Sequence, residues 1–133
     1  MAEQQLTAAG VIGSVRAALE SADLDAIGDL LDPNVRWGTP DDPDQGCQNR
    51  QQVLAWYRRG REAGVRAHVT ETVVYGDRIL LGLAVTGQPA VEQADSQANR
   101  WQVLIVGGGG IVEICGFENR DDAVARAALG LAR

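Results

Sequence analysis

Few side chains in this sequence could transfer a proton near neutral pH, and His68 is its only imidazole. The ordinary pKa of histidine lies close to neutrality, so His68 is the first acid-base candidate. On a predicted strand, His68 shares a face with Arg66 and Thr70, whereas Ala67 and Val69 lie on the opposite face. Because successive side chains of a strand point to opposite faces, we expect His68 on the outer, polar face of a sheet. A contact between two subunits is one role for it there.

Glu71 has the opposite setting on the same strand, because it alternates in step with Val69 and Val73. A carboxyl group held on an apolar face has a raised pKa and can act as an acid or a base. The alternative is a local twist, or a strand end, that brings the side chain to water. Glu71 is therefore a catalytic candidate with two open interpretations.

Gln102 is the polar member of an otherwise apolar row that it forms with Leu104 and Val106. A buried amide needs hydrogen-bond partners. Two are available here, namely the carbonyl group of a bound molecule or the hydroxyl group of Tyr57. Trp101 has the opposite alternation, so we expect that Trp101 and Gln102 do not both face the interior space.

Metal, nucleophile and lysine chemistry are not expected. All twelve basic residues are arginine, so there is no lysine for a Schiff base or a phosphate loop. Cys47 and Cys115 lie far apart and form no zinc-ligand spacing with the single histidine. Cys47 has no neighbouring histidine to activate it, and Asp41, Asp42 and Asp44 are expected to be solvated loop charges. We therefore expect neither a metal nor a cofactor.

Apolar spacing and turn residues divide the chain into elements that could position these side chains. The predicted helices are Leu6–Glu20 with Thr7 as its N-cap, a second helix capped by Asp23 and ended by Pro33, Asn49–Ala63 followed by Gly64, and Asp121–Leu131. The predicted strands are Val35–Gly38, Val65–Tyr75, Arg78–Thr86, Trp101–Val106 and Ile111–Phe117, with loops over Thr39–Gly46 and Gly87–Ala98. This order predicts an α+β fold, with the first helices packed on a strongly curved antiparallel sheet and a short helix at the C-terminus.

Length and charge narrow the classes of function. The chain has 133 residues, which suits one domain, so we expect residues 1–133 to form a single domain. Its formal net charge is −6 and it has no basic stretch, which argues against nucleic acid or an anionic membrane surface as a partner. A polar N-terminus without a hydrophobic signal region predicts a cytoplasmic protein.

Three groups of residues carry a resemblance to a known family. They are Asp23–Leu31 with Pro33–Trp37, then Asn49–Val53 with Trp56 and Tyr57, then Gly76–Ile79 with Trp101–Val106 and Gly110–Val112. Their order and spacing resemble the nuclear transport factor 2-like superfamily and, within it, the SnoaL-like branch. That resemblance implies a cone-shaped fold, an apolar pocket and a homodimer. The superfamily includes polyketide cyclases, steroid isomerases, epoxide hydrolases and binding proteins without catalytic activity, so the fold alone does not give the function.

The resemblance also allows the chemistry of each branch to be compared with this sequence. The steroid isomerases use a carboxylate base and two oxyanion donors, whose positions correspond here to Thr39, Val15 and Gln102. Thr39 cannot serve as the base and Val15 cannot donate a hydrogen bond, whereas the Gln102 amide can. Asp41 or Asp42 in the adjoining loop could replace the base.

The other two branches match less well. The Asp-Arg-Asp set of the epoxide hydrolases would fall near Leu83, Val85 and Gly116, and none of these residues fits. The pocket acid of the SnoaL-like cyclases lies near the last strand, where this chain has Cys115 and Gly116.

The resemblance therefore implies a homodimer that takes a small hydrophobic molecule, polyketide-like, terpenoid or steroid-like, into an apolar pocket. The predicted ligand contacts are Trp37, Thr39, Trp56, Tyr57 and Gln102. A catalytic form would isomerise, cyclise or dehydrate its ligand without a cofactor. In that form Gln102 polarises a carbonyl group, and Asp42 or Glu71 moves the proton. The alternatives are a binding protein without catalysis and, if no cavity of about 300 Å3 exists, an interaction domain.

Overall fold

Helices and strands follow one another in the predicted order, and the chain has the α+β architecture expected from its sequence. The computed structural model describes residues 8–21, 23–38, 49–86, 97–107 and 110–129. The helices are α1 (Ala8–Ser21), α2 (Leu24–Leu30), α3 (Arg50–Glu62) and α4 (Arg120–Ala128). The strands are β1 (Leu31–Gly38), β2 (Arg66–Tyr75), β3 (Arg78–Thr86), β4 (Gln97–Gly107) and β5 (Gly110–Phe117). Among the described helices, none is long and apolar enough to cross a bilayer.

The N-cap predicted for α2 is confirmed, and the predicted start of α3 at Asn49 coincides with its N-cap. The Asp23 carboxylate accepts hydrogen bonds from the backbone N–H groups of Asp25 and Ala26, at 3.1 and 3.2 Å. The Asn49 side chain accepts one from the N–H group of Gln52 at 3.0 Å. Each cap pairs N–H groups that have no partner within the first turn, so the start of each helix is set by a single side chain.

The passage from α2 to β1 differs from the prediction. Leu31 already has an extended backbone and begins β1, so Pro33 lies inside the strand rather than at the end of the helix. Proline has no N–H group to give to a strand ladder, and the register of β1 is irregular between Leu31 and Arg36. The predicted N-cap Thr7 and the loop Thr39–Gly46 lie outside the described residues.

The curved sheet has the strand order β1-β5-β4-β3-β2. Strands β2 to β5 form consecutive antiparallel pairs, as predicted. Strand β1, in contrast, runs parallel to β5, with Trp37 paired to Ile114. The sheet is therefore mixed, and the prediction of a wholly antiparallel sheet is corrected for its first strand.

Gly110, the first residue of β5, lies against the start of β1. Its φ angle is +128°, a conformation that side chains other than glycine rarely adopt. A Cβ atom at this position would lie only 2.6 Å from the carbonyl oxygen of Leu30 and 3.1 Å from the backbone nitrogen of Asp32. The parallel β1–β5 pair therefore begins at a point where only a glycine fits.

The central strands divide their side chains between two faces. The inner face carries Leu81 and Gln102, and α1, α2 and α3 lie on its side of the sheet. The outer face carries Leu80, Val103 and Cys115, against which α4 packs. The larger core cluster belongs to the inner face and the smaller one to the outer face.

Candidate functional site

A cavity of about 780 Å3 lies between the inner face and the helices on that side. All five strands and all four helices, or the residues next to them, contribute to its walls, and most of the lining side chains are apolar. The lining residues are Leu19, Leu24, Ile27, Trp37, Trp56, Tyr57, Gly60, Arg61, Val65, Ala67, Leu83, Val85, Arg100, Trp101, Gln102, Gly116, Phe117, Glu118, Asn119 and Asp122. The cavity falls within the size range typical of small-molecule sites.

Three aromatic side chains, Trp37, Trp56 and Tyr57, form one side of the cavity, which we call the aromatic wall. Trp37 comes from β1, and its ring centroid lies 4.6 Å from that of Trp56 and 5.1 Å from that of Tyr57. Trp56 and Tyr57 are neighbours on α3 and meet edge to face at 5.8 Å. Trp56 is 44% exposed, so the wall extends from the cavity to the protein surface. All three predicted ligand contacts of this group therefore border the cavity.

Gln102 lies at the boundary between the cavity and a second, smaller hollow. The residue is only 8% exposed. Its Oε1 atom is buried and accepts no hydrogen bond from Tyr57 or from any other residue in the described part of the chain. The structural alternative foreseen for Gln102, a hydrogen bond with Tyr57, is thus not made through this oxygen.

The second hollow, which we call the inner chamber, has a volume of about 20 Å3. Its walls are apolar apart from Tyr57 and Gln102, which line both hollows. Val15 is one of these walls and is 3% exposed. Val15, which the resemblance matches to the donor tyrosine of the steroid isomerases, is thus an apolar side chain beside a small void.

Four charged residues that the sequence did not single out also line the cavity. Arg61 lies in the last turn of α3 and Arg100 on β4, while Glu118 and Asp122 flank the start of α4. Such residues carry no periodic signal, because charged side chains at element ends are usual on any protein surface. The packing of α4 on the sheet brings Glu118 and Asp122 to the cavity, whereas Arg61 and Arg100 reach it from α3 and β4.

Glu71 does not lie where its alternation predicts. Val69 pairs with Leu83 but Glu71 pairs with Gly82, so Thr70 is an extra residue that forms a bulge in β2. The bulge turns Glu71 away from the cavity. The prediction that Glu71 shares the apolar face of Val69 is therefore wrong.

On the outer side, Glu71 meets a cation rather than an apolar environment. Arg120 donates two hydrogen bonds to its carboxylate, the one from Nε at 2.9 Å. The hydrogen bonds and charge of Arg120 lower the pKa of Glu71, despite an opposing contribution from burial. The predicted raised pKa is corrected accordingly. Gly82 was the available signal, since a glycine inside an apolar strand often faces a bulge, and a Cβ atom there would lie 2.8 Å from Thr70 Oγ1.

Trp101 and Gln102 both border the cavity, which corrects the prediction that only one of them would. Trp101 packs with the smaller cluster of the outer face. Its Nε1 atom would lie 3.4 Å from a Cβ atom on Gly82, the residue paired with it on β3. Trp101 and Gln102 therefore lie on opposite faces of β4, as strand alternation requires. Trp101 borders the cavity at its edge, beside Phe117 and the start of α4.

His68 stays outside the cavity, as expected. Its side chain is 71% exposed, and Nδ1 lies 3.1 Å from Glu20 Oε2. The same carboxylate oxygen accepts a hydrogen bond from the backbone N–H group of Val69 at 3.2 Å. Glu20 therefore joins the end of α1 to β2, and His68 takes part in that junction.

The remaining candidates divide between the outer face and the part of the chain that is not described. Cys115 lies on the outer face, where burial and its hydrogen bond to Glu113 raise the pKa of the thiol to about 11. Thr39, Asp42 and Cys47 lie outside the described residues. Across the described ranges, no group of three or more histidine, cysteine, aspartate or glutamate side chains could hold a metal ion.

Solved structures that superimpose on this chain have the nuclear transport factor 2-like fold. A candidate ketosteroid isomerase from Kribbella flavida is 15% identical, with a TM-score of 0.68 over 83% of this chain and 76% of that one. A candidate polyketide cyclase from Pseudomonas putida KT2440 is 17% identical, with a TM-score of 0.67 over 92% and 99%. A nuclear transport factor 2-like protein of unknown function from Cytophaga hutchinsonii is 10% identical, with a TM-score of 0.65 over 92% and 99%. At these identities the likeness defines the fold alone.

The family follows from the sequence itself. Residues 13–114 match the model of the SnoaL-like domain. Since that match spans most of the chain, the protein belongs to the SnoaL-like family. No curated protein matches the sequence.

Proposed function

We propose that this SnoaL-like protein binds a small hydrophobic molecule in the cavity, and that the ligand is polyketide-like, terpenoid or steroid-like. The observation that carries the proposal is a cavity of about 780 Å3 with the aromatic wall on one side and the Gln102 amide within it. An apolar ligand of that size gains free energy by leaving water, and one buried polar group would fix its orientation.

The same arrangement supports the proposal over an interaction domain, for which a filled cone is expected. We propose further that residues 1–133 form one such domain. The family match ends at residue 114, but α4 packs on the sheet through Ala123 and Ala127, which are fully buried. The homodimer and the cytoplasmic location stay predictions, and analytical ultracentrifugation would test the first.

A catalytic role is the second part of the proposal, and the position of Gln102 favours it. Gln102 corresponds to a donor of the steroid isomerases and lines the cavity. In the proposed reaction a carboxylate takes a proton from the carbon next to a carbonyl group, and the C–H electron pair moves into the carbonyl to form an enolate. The Gln102 N–H group donates to the carbonyl oxygen, and return of the proton at the same or a conjugated carbon completes the isomerisation.

We propose Asp42 as the carboxylate of this step. Asp42 follows β1 closely in the sequence, and Trp37 near the end of that strand lines the cavity. Asp122 is the carboxylate to compare with it, because it lines the cavity from the start of α4. Glu71 has no part in the proposal, because Arg120 holds it on the outer side.

Binding is tested first, with a panel made of one steroid, one terpenoid ketone and one tetralone. We expect at least one of them to quench tryptophan fluorescence with a saturable isotherm. Trp37→Leu should weaken that binding about tenfold, since the aromatic wall loses its central ring. Leu129→Ala, an exposed apolar position away from the cavity, is the control and should bind as the wild type does. A panel without any saturable binding would contradict the proposal.

Catalysis is tested by following exchange of the proton next to the ketone with deuterium from solvent, by NMR. Asp42→Asn should reduce the exchange rate at least about a hundredfold while leaving binding intact. Gln102→Leu should reduce it about tenfold or more. If Asp122→Asn instead removes exchange, the assigned base is wrong. If a bound ketone exchanges no faster than in buffer, the protein is a binding protein without this activity.

A further inference from the structure

Gln102 restricts the chemistry of the ligand more than the apolar walls of the cavity do. Its Oε1 atom is a buried hydrogen-bond acceptor without a donor in the described part of the chain, and the residue is more than nine-tenths buried. A buried acceptor left unpaired costs free energy that any bound donor recovers. The cavity therefore favours a ligand that donates a hydrogen bond at this point.

A ketone cannot satisfy this requirement. The carboxamide of Gln102 has an oxygen that accepts and a nitrogen that donates. A carbonyl group accepts from the nitrogen but leaves the oxygen unpaired, whereas a hydroxyl group can donate to the oxygen and accept from the nitrogen. Gln102 thus discriminates between the two groups, which an apolar residue could not do.

The inner chamber adds a second requirement beside the first. Gln102 borders it, and its other walls include Val15, Ala18, Leu104 and Ile114. A volume of about 20 Å3 is close to the minimum that holds one water-sized group. Because all of its walls except Gln102 and Tyr57 are apolar, a methyl group suits the chamber better than water does.

We propose that the ligand meets Gln102 through a phenolic or enolic hydroxyl group and places a short alkyl group, next to that hydroxyl, in the inner chamber. This inference rests on the proposed function, because it describes a molecule held in the same cavity. It also changes the part that Gln102 plays in the proposed proton transfer. A residue that both donates and accepts holds a neutral enol more tightly than the ketone from which the enol forms, so binding itself favours the enol tautomer.

The hydroxyl requirement is tested by calorimetric titration with a naphthol, its methyl ether and the corresponding naphthyl methyl ketone. These three probes share one flat ring system that suits the aromatic wall. We expect the naphthol to bind about tenfold more tightly than either of the others, since only it can donate. In Gln102→Leu the three affinities should agree to within about twofold. Gln51→Leu, an exposed glutamine on α3, should keep the wild-type preference.

The outcomes separate this inference from the proposed function. If none of the three probes binds, the proposal of a hydrophobic-molecule site fails. If all three bind equally well to the wild type, or if Gln102→Leu keeps the preference for the naphthol, only the hydroxyl requirement is overturned. The comparison of probes on the wild-type protein needs no folded variant.

The inner chamber is tested with a naphthol that carries a methyl group next to its hydroxyl. We expect the methyl group to tighten wild-type binding about fourfold, the effect of burying one such group. Ala18→Val should fill the chamber and abolish that gain. Ala17→Val, on the exposed side of the same helix, should keep it and controls for the lower helix propensity of valine. A methyl group that weakens wild-type binding, or a gain that survives in Ala18→Val, would overturn this part.

Discussion

The two faces of the sheet are built from alternate residues of the same strands, yet one face is closely packed and the other borders a cavity. On the outer face, α4 packs on Leu80, Val103 and Cys115, and nearby polar side chains bond to one another. On the inner face the strands border a cavity of about 780 Å3, which the buried residue Gln102 lines.

The difference indicates that the outer face mainly stabilises the fold, whereas the inner face is available for ligand binding. Leu80 is fully buried, and the outer cluster around it is filled by protein atoms. Leu83 lies on the same strand but borders the cavity. Close packing stabilises a fold, whereas a hollow leaves apolar surface available to a ligand. Stability and binding should therefore respond to different substitutions on a single strand.

The largest expected effect comes from removing a leucine from each face of β3. Leu80→Ala should lower the free energy of unfolding by about 3 to 4 kcal/mol, because it leaves a void in a filled cluster. Leu83→Ala should lower it by about 1 to 2 kcal/mol, because its side chain already borders a hollow. Urea denaturation of both variants measures the difference. Equal losses would mean that the cavity is not a hollow in solution.

The thiol of Cys115 tests how closely α4 covers the outer face. A pKa of about 11, in place of 9.0, reduces the fraction of thiolate about a hundredfold near pH 8. In a Cys47→Ser background, a disulfide reagent should thus label the native protein at least about a hundredfold more slowly than the urea-unfolded protein. Glu113→Gln should speed the native reaction by removing the carboxylate that accepts the thiol proton. Labelling at the same rate in both states would show that α4 does not protect this face.

The smallest effect concerns the ion pair between Glu71 and Arg120, which lies in partly exposed surroundings. The pKa of Glu71 is lowered in the folded protein, so its contribution is present above the unfolded value of 4.5 and is lost as the pH falls through the lowered value. The stability difference between wild type and Glu71→Gln should therefore be positive at pH 7 and vanish in acid. Glu62→Gln, at an exposed position on α3, provides the comparison. A difference that grows in acid would contradict the assigned pairing.

Local features of this fold could be predicted because they depend on residues near in sequence. The cap Asp23, the start of α3 near Asn49 and the limits of β3 follow from side-chain chemistry and from an apolar run between turn residues. The parallel pairing of β1 with β5 could not be predicted, because the paired residues lie far apart in the sequence. The residues of a short strand do not indicate which strand it pairs with, or in which direction.

The candidate site was predictable where strand alternation is unbroken. Gln102 lies in an uninterrupted strand segment, and its burial on the inner face follows from Leu104 and Val106. Glu71 lies just beyond the Thr70 bulge, where one extra residue exchanges the two faces. The charged residues Arg61 and Asp122 both line the cavity because of tertiary packing, which a periodic sequence pattern does not predict.

The strand order implies that the chain can bind a ligand only late in its synthesis, after β5 has been made. β1 joins the sheet only beside β5, so Trp37 cannot pair until the segment around Ile114 has left the ribosome. Contacts so far apart in sequence also form late and slowly, because a long loop must close first. A nascent chain that ends before β5 already contains α1, α2 and α3, but β1 and its Trp37 have no strand to pair with. We expect such a chain to be unable to bind the ligand.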